Sequence, residues 1–94
     1  MRLRFYIDPA TGLPHIYGHG VSGREVREAL TSAGEDRSGT EGSRVAIGQT
    51  RAGRYLKIVY KSDPDTESLF VITAFELTGK PLASYRRRMG KGRR

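Results

Sequence analysis

The stretch Leu69-Phe70-Val71-Ile72-Thr73-Ala74-Phe75-Glu76-Leu77 limits the fold more than any other part of this chain. It is apolar at both odd and even positions and rich in β-branched and aromatic side chains. That pattern predicts a strand covered on both faces, buried beneath a helix and central in its sheet. Two strand candidates precede it. Arg44 to Thr50 alternates Val45 and Ile47 against Ala46 and Gly48, and Arg54 to Ser62 alternates Leu56, Ile58 and Tyr60 against Tyr55, Lys57 and Val59. Arg51-Ala52-Gly53 is a short hairpin connection and Asp63-Pro64-Asp65-Thr66-Glu67 a longer one, so the three strands should form an antiparallel meander.

The N-terminal half supplies what covers that sheet. Leu3 to Ile7 reads as a strand, and Asp8-Pro9-Ala10-Thr11-Gly12 breaks it with turn residues. His15-Ile16-Tyr17 fits either a second strand of a hairpin or a helical turn. Ser22 and Glu25 have the spacing of a capping box, with Val21 and Val26 in the hydrophobic-staple positions. Val26, Ala29, Leu30 and Ala33 continue at helical spacing and Gly34 follows, which predicts a helix over 23–33. Glu35 to Ser43 lacks any periodicity and reads as a loop. Near the C-terminus, Pro81 suits a first helical turn, Leu82, Tyr85 and Met89 share a face, and Gly90 and Gly92 should end the helix, giving 81–89. The expected architecture is α+β: two helices on an antiparallel sheet of four or five strands. One domain spans 1–89, and 90–94 is expected to be a basic, disordered tail.

Charge narrows the function classes. The 94 residues carry a net +7, from 17 Lys and Arg against 10 Asp and Glu. The last ten residues include Arg86, Arg87, Arg88, Lys91, Arg93 and Arg94 and no acid, so the rest of the chain is close to neutral. An anionic partner follows, nucleic acid ahead of membrane because nothing apolar accompanies the basic run. Cysteine is absent, which removes disulfides and thiolate chemistry. No apolar segment follows the N-terminal charges and no stretch is long enough to span a bilayer, so a cytoplasmic protein is expected.

Most catalytic patterns are missing. His15 and His19 lie four apart with Asp8 nearby, but Gly18 and Gly20 argue against a helix there, and no metal or other cofactor is expected. There is no phosphate loop, no dinucleotide fingerprint and no nucleophile elbow. Asp63, Asp65 and Glu67 share one turn instead of facing each other across a cleft. What remains is a basic and aromatic set: Arg54, Tyr55, Lys57, Tyr60 and Lys61 on one strand, Glu76 at the end of the next, and Tyr85 to Arg88 on the last helix. Arginine and lysine neutralise phosphates and tyrosine stacks on unpaired bases. Metal-free RNA cleavage needs little more than a base for the 2′-hydroxyl, cations for the phosphorane and an acid for the leaving oxygen.

Two stretches also resemble a known family. Asp8-Pro9, then His19-Gly20-Val21-Ser22 entering a helix with Glu25 and Val26, is similar to the opening of BrnT-type toxins, small ribonucleases of bacterial toxin–antitoxin operons with a RelE-like fold. Ala46-Ile47-Gly48-Gln49-Thr50, Gly53-Arg54, Tyr60 and Val71-Ile72-Thr73-Ala74 follow the same pattern. The chain equally resembles a related group of bacterial domains with no assigned function. The resemblance implies a RelE-like sheet, RNA as substrate, cleavage without metal and neutralisation by a small acidic antitoxin. It carries over to Arg54, after the turn glycine, and to Tyr85 and Arg86 in the basic final helix. From the basic and aromatic set itself, Arg54, Tyr85 and Glu76, a candidate general base, are read as catalytic and Lys57, Arg86, Arg87 and Arg88 as phosphate contacts. One departure stands out: the toxins usually carry an arginine after Ala74, where this chain has Phe75-Glu76. The two readings to be separated are an RNA-engaging, toxin-type endoribonuclease and a non-catalytic binding domain of the same fold. A third is an interaction domain whose tail only aids solubility.

Overall fold

The computed structural model describes residues 1–91. In chain order it contains β1 (Arg2–Phe5), β2 (Ile7–Asp8), β3 (Leu13–Pro14), a 3-10 turn (His15–His19), α1 (Gly23–Thr31), β4 (Glu35–Ser38), β5 (Arg44–Gln49), β6 (Tyr55–Asp63), β7 (Ser68–Glu76) and α2 (Gly79–Lys91). The main sheet has five strands in the order β1-β7-β6-β5-β4, and β2 pairs with β3 in a small separate ribbon. The chain is α+β, as the sequence predicts. Among the described residues, no helix is long and apolar enough to cross a membrane.

The meander β5-β6-β7 is antiparallel throughout, and its register sorts the side chains. Leu56, Ile58 and Tyr60 share one face with Ala46, Gly48, Val71 and Ala74; Tyr55, Lys57 and Val59 share the other with Ile47, Thr73 and Phe75. A bulge between Val59 and Tyr60 lets β7 carry one extra residue, Ile72, and keeps Val71 on the first face. Helix α1 and the 3-10 turn cover that first face, burying Ile16, Val21, Val26, Ala29, Leu56, Ile58 and Val71 in one cluster. Each fully buried aliphatic of this size contributes about 1.5–3 kcal/mol. Helix α2 packs on the opposite face through Tyr85, Leu82 and Met89, against Ile47, Tyr55, Phe75 and Leu77.

Five features differ from the sequence expectation, each for an identifiable reason. The sheet is mixed, because β1 runs parallel to β7, pairing Leu3 with Leu69 and Phe5 with Val71. A parallel pairing needs a long connection. Here the 3-10 turn and α1 carry the chain to β4 at the far edge, from which the meander returns to set β7 beside β1. Strand β7 is therefore internal, but β6 lies at the centre of the order. The first strand stops at Phe5, because Tyr6 donates to the Val71 carbonyl and accepts from the His15 amide, starting the small ribbon. Helix α1 ends at Thr31, two residues early: the Ser32 hydroxyl donates to the Glu28 and Gln49 carbonyls, and Gly34 N–H donates to Ile47 O. These bonds pull the chain into β4, within the segment expected to be a loop. Glu35-Asp36-Arg37-Ser38 has no apolar alternation because it is an edge strand, anchored by polar contacts: Tyr60 Oη donates to Asp36 Oδ2 at 2.6 Å and Arg44 Nε to Asp36 Oδ1 at 2.8 Å. Finally, α2 begins at Gly79 and continues through Gly90 to Lys91, so part of the expected tail is helical; residues 92–94 lie outside the described residues.

Gly48 controls how closely α1 approaches the sheet. A Cβ there would sit 1.9 Å from the Ala29 carbonyl oxygen, a backbone atom that cannot rotate away. Gly90, exposed on α2, has nothing within 4 Å of such a Cβ. Gly48→Ala should lower unfolding stability by about 3 kcal/mol or more, beyond ordinary overpacking, whereas Gly90→Ala should be neutral or slightly stabilising. Urea denaturation of the two variants beside the parent protein checks this.

Candidate nucleic-acid interface

The local chemistry of Arg54 begins in the turn before β6. Gly53 adopts φ 96° and its N–H donates to Thr50 O at 3.0 Å, closing the hairpin. The buried Thr50 hydroxyl accepts from Arg54 N–H at 3.0 Å, which fixes the residue as the strand begins. Its guanidinium then donates to Glu25 Oε2, to the Gly20 carbonyl at 3.1 Å and to Glu76 Oε1 at 3.2 Å. Glu25 is at the same time the acidic half of the α1 capping box: its Oε1 accepts from Ser22 N–H at 3.0 Å while Ser22 Oγ accepts from Glu25 N–H at 3.2 Å. One arginine thus joins the start of α1, the loop before it, the start of β6 and the end of β7. The Glu25 carboxyl is held below its ordinary value, chiefly by the Ser22 N–H and then by Arg54, against the opposing effect of burial. Arg54 is raised, first by its hydrogen bond to Glu25.

The structure therefore brings Arg54 and Glu76 together and leaves Tyr85 elsewhere. Arg54 and Glu76 lie at the α1 side of the sheet; Tyr85 belongs to α2 on the opposite face, 5% exposed against Tyr55 at 5.8 Å between ring centroids. Gly34 is required beneath it, because a Cβ there would lie 2.2 Å from the Tyr85 hydroxyl oxygen. Burial pushes the Tyr85 phenol up, and the neighbouring Tyr55 adds to that, so it is poorly suited to giving up its proton. The Arg54 charge is already met by two carboxylates, which leaves it little attraction for a phosphate.

The four remaining candidates share the α2 side. Lys57 is half-buried, and its register partners Ile47 and Phe75 both belong to the cluster under α2. Arg86 stacks over the Tyr55 ring at 5.2 Å, beside a groove of about 380 Å³ lined by Gly34, Gln49, Tyr55, Tyr85 and Met89. Arg87 is exposed and donates only to Ser84 Oγ, at 3.1 Å. Arg88 differs from these: it holds Glu35 with two bonds, of 2.8 and 3.1 Å, and lies over the Tyr85 ring at 5.9 Å. The Glu35 carboxyl is lowered, first by Arg88. Arg88 therefore ties α2 to the edge strand β4. Among the described residues, Lys57, Arg86 and Arg87 form no ion pair, and neither does Lys61 farther along β6.

A second basic groove was not legible as a site in the sequence. Arg24 and Arg27 on the outer face of α1, with Arg51 from the β5–β6 turn, line a cavity of about 680 Å³. Glu28, also there, accepts from Arg51 N–H at 3.1 Å, and Arg27 donates to the Met1 carbonyl. The spacing of Arg24 and Arg27 marks one helix face, but nothing in the sequence brings Arg51 to it.

The Arg54 junction makes two expectations about stability. Arg54→Met should cost about 2 kcal/mol, since it leaves Glu25 and Glu76 side by side without their cation. Because the folded-state Glu25 value is depressed, its contribution is fully present above the ordinary glutamate value of 4.5 and is lost as pH falls below that through the folded value. Glu25→Gln, which keeps the capping oxygen, should flatten the acid limb of the stability–pH curve without changing its shape above pH 6 or so. Denaturant titrations across the acid range check both. Comparisons with family models, with curated proteins and with solved structures returned no match for this chain.

Proposed function

We propose that this protein is a small RNA-engaging domain that binds through the α2 face of its sheet, without cleaving what it binds. The observation that carries this reading is the sorting of its cations. Arg54, Arg44, Arg4 and Arg88 are committed to carboxylates that hold the fold together. Lys57, Arg86 and Arg87 carry no such partner among the described residues and lie on or beside one face, with Tyr55 between them. Cations beside a half-buried aromatic ring suit an unpaired strand, whose phosphates are neutralised while a base takes the place of Arg86 over Tyr55. Residues 91–94 contribute Lys91, Arg93 and Arg94 to the same end of the chain.

The toxin-type reading stays within this proposal as its biological setting. The resemblance to BrnT-type and RelE-like toxins rests on the residues quoted for it, and it brings RNA and a small acidic antitoxin as partners. Cleavage itself is not favoured. The proposed general base Glu76 is bonded to Arg54, and Tyr85 lies on the other face of the sheet, so the three do not converge on one phosphate.

Binding of the full chain to a short single-stranded RNA, followed by fluorescence anisotropy over a range of salt, tests the proposal. Affinity should fall steeply with salt, and Lys57→Ala, Arg86→Ala and Arg87→Ala should each reduce the slope of log K against log salt by about 0.7. Arg54→Met should leave the slope unchanged. Equal loss from Arg24→Ala and Arg27→Ala with no loss from the α2 variants would move the interface to the other groove. Absence of binding at low salt would end the proposal. RNA cleavage that disappears in Arg54→Met and Tyr85→Phe would replace binding with the endoribonuclease reading.

A further inference from the structure

The glycines at 18 and 20 make a regular α-helix around His19 unfavourable, yet the chain here forms a 3-10 turn over His15–His19. Its frame is tightly fixed. Ile16 points into the main core at 1% exposure, His15 N–H donates to Tyr6 O at 2.9 Å, and Val21 N–H donates to Ile16 O at 3.1 Å. Gly20 closes the turn in the left-handed region at φ 69°, donating to Tyr17 O at 3.0 Å. Two imidazoles project from this frame, and their Nε2 atoms face each other at 3.3 Å.

Each ring is also held from behind. His15 lies edge-on to Tyr6 and His19 against Phe75, both at 6.1 Å between centroids, and the two imidazole planes meet at 78°. Asp8 Oδ2 lies 3.6 Å from His15 Nδ1. Asp8 is itself fixed, because its Oδ1 accepts from Ala10 N–H at 2.9 Å and its carbonyl accepts from Gly12 N–H at 2.8 Å. At that distance the carboxylate is an electrostatic neighbour of Nδ1 and not yet a hydrogen-bond partner. Closing by a few tenths of an ångström would hold the proton at Nδ1 and leave the Nε2 lone pair free.

We propose that His15 and His19 form a two-imidazole surface site for a divalent transition-metal ion of the imidazole-preferring class (Cu²⁺, Ni²⁺ or Zn²⁺), with Asp8 as the positioning residue. Two nitrogens each 2.0–2.1 Å from a tetrahedral ion stand about 3.3–3.4 Å apart. The observed separation of 3.3 Å matches that span, and an ion would replace the hydrogen-bond contact between the two rings. The carboxylate behind one ligand is the arrangement that orients metal-bound histidines and raises their basicity. No set of three or more His, Cys, Asp or Glu among the described residues is arranged to hold a metal, so water or a group from another molecule completes the coordination. The site uses none of the cations assigned to RNA and does not depend on that reading.

Isothermal titration of the full chain with CuCl₂, NiCl₂ and ZnCl₂, in a non-chelating buffer without RNA, tests this. One ion should bind per chain, with a dissociation constant on the order of micromolar and Cu²⁺ tightest. His15→Ala and His19→Ala should each abolish the one-to-one binding, and Asp8→Asn, which keeps the oxygen used by Ala10, should weaken it by about 10-fold. In nitrogen-detected NMR the Nε2 resonances of both histidines should move or broaden together on addition of metal. Failure of all three ions to bind stoichiometrically, or binding by His15→Ala as tight as by the parent chain, would overturn the proposal.

Discussion

Arg54 is the point at which this small fold is tied together. Its guanidinium donates to Glu25, Glu76 and the Gly20 carbonyl, so the N-terminus of α1, the loop that leads into it and the ends of two strands share one cation. The arrangement satisfies more than the charges. Glu25 can cap α1 only if its carboxylate is held in place, and Arg54 holds it from the sheet side. Helix position over the sheet then follows, with Val26 and Ala29 pressed onto the Leu56–Ile58 face and Gly48 admitting the helix backbone. A network of this kind contributes modest net energy, because desolvation offsets much of the attraction. What it contributes more clearly is a single registration of helix against strand.

That use of Arg54 bears on the proposal of an anionic partner. An arginine with two carboxylates at its nitrogens presents almost no uncompensated charge, however suggestive its place in the sequence. Arg88 is likewise occupied by Glu35, and Arg44 by Asp36. Among the described residues, Lys57 beside the α2 cluster, Arg86 over Tyr55 and Arg87 on the outer surface of α2 carry no carboxylate partner, and neither do Arg24, Arg27 and Arg51 in the groove on the α1 side. Sequence charge is thus divided between cations paired with carboxylates and cations that face outward, and the proposed binding role rests on the second group.

The strands and helices were legible in the sequence wherever burial imposed a period. Leu56, Ile58 and Tyr60 on one parity of β6, and Val26 and Ala29 on one face of α1, declared themselves because a core lay opposite them. Strand β4 did not, since an edge strand of Glu, Asp, Arg and Ser is held by Asp36 bonds to Tyr60 and Arg44 that leave no local pattern. The parallel pairing of β1 with β7 was hidden for a related reason: Leu3 and Phe5 show an inward face but not the direction of the neighbour. The candidate site was legible in composition and not in arrangement. The approach of Arg54 to Glu76 and the separation of Tyr85 across the sheet are set by tertiary contacts between elements that sequence spacing treats independently. The meeting of His15 with His19 is local and was hidden only because the flanking glycines spoke against a helix there.

The proposed division is between cations paired with carboxylates, Arg54 on the α1 side and Arg88 on α2, and the unpaired Lys57, Arg86 and Arg87 around Tyr55. The most direct measurement is a ¹⁵N-labelled NMR titration of the full chain with a short single-stranded RNA. The account expects shifts concentrated at Tyr55, Lys57, Arg86 and Arg87, with the side-chain signals of Arg54 and Arg88 unmoved. Shifts concentrated at Arg54, Glu25 and Glu76 instead, with the α2 face silent, would contradict it.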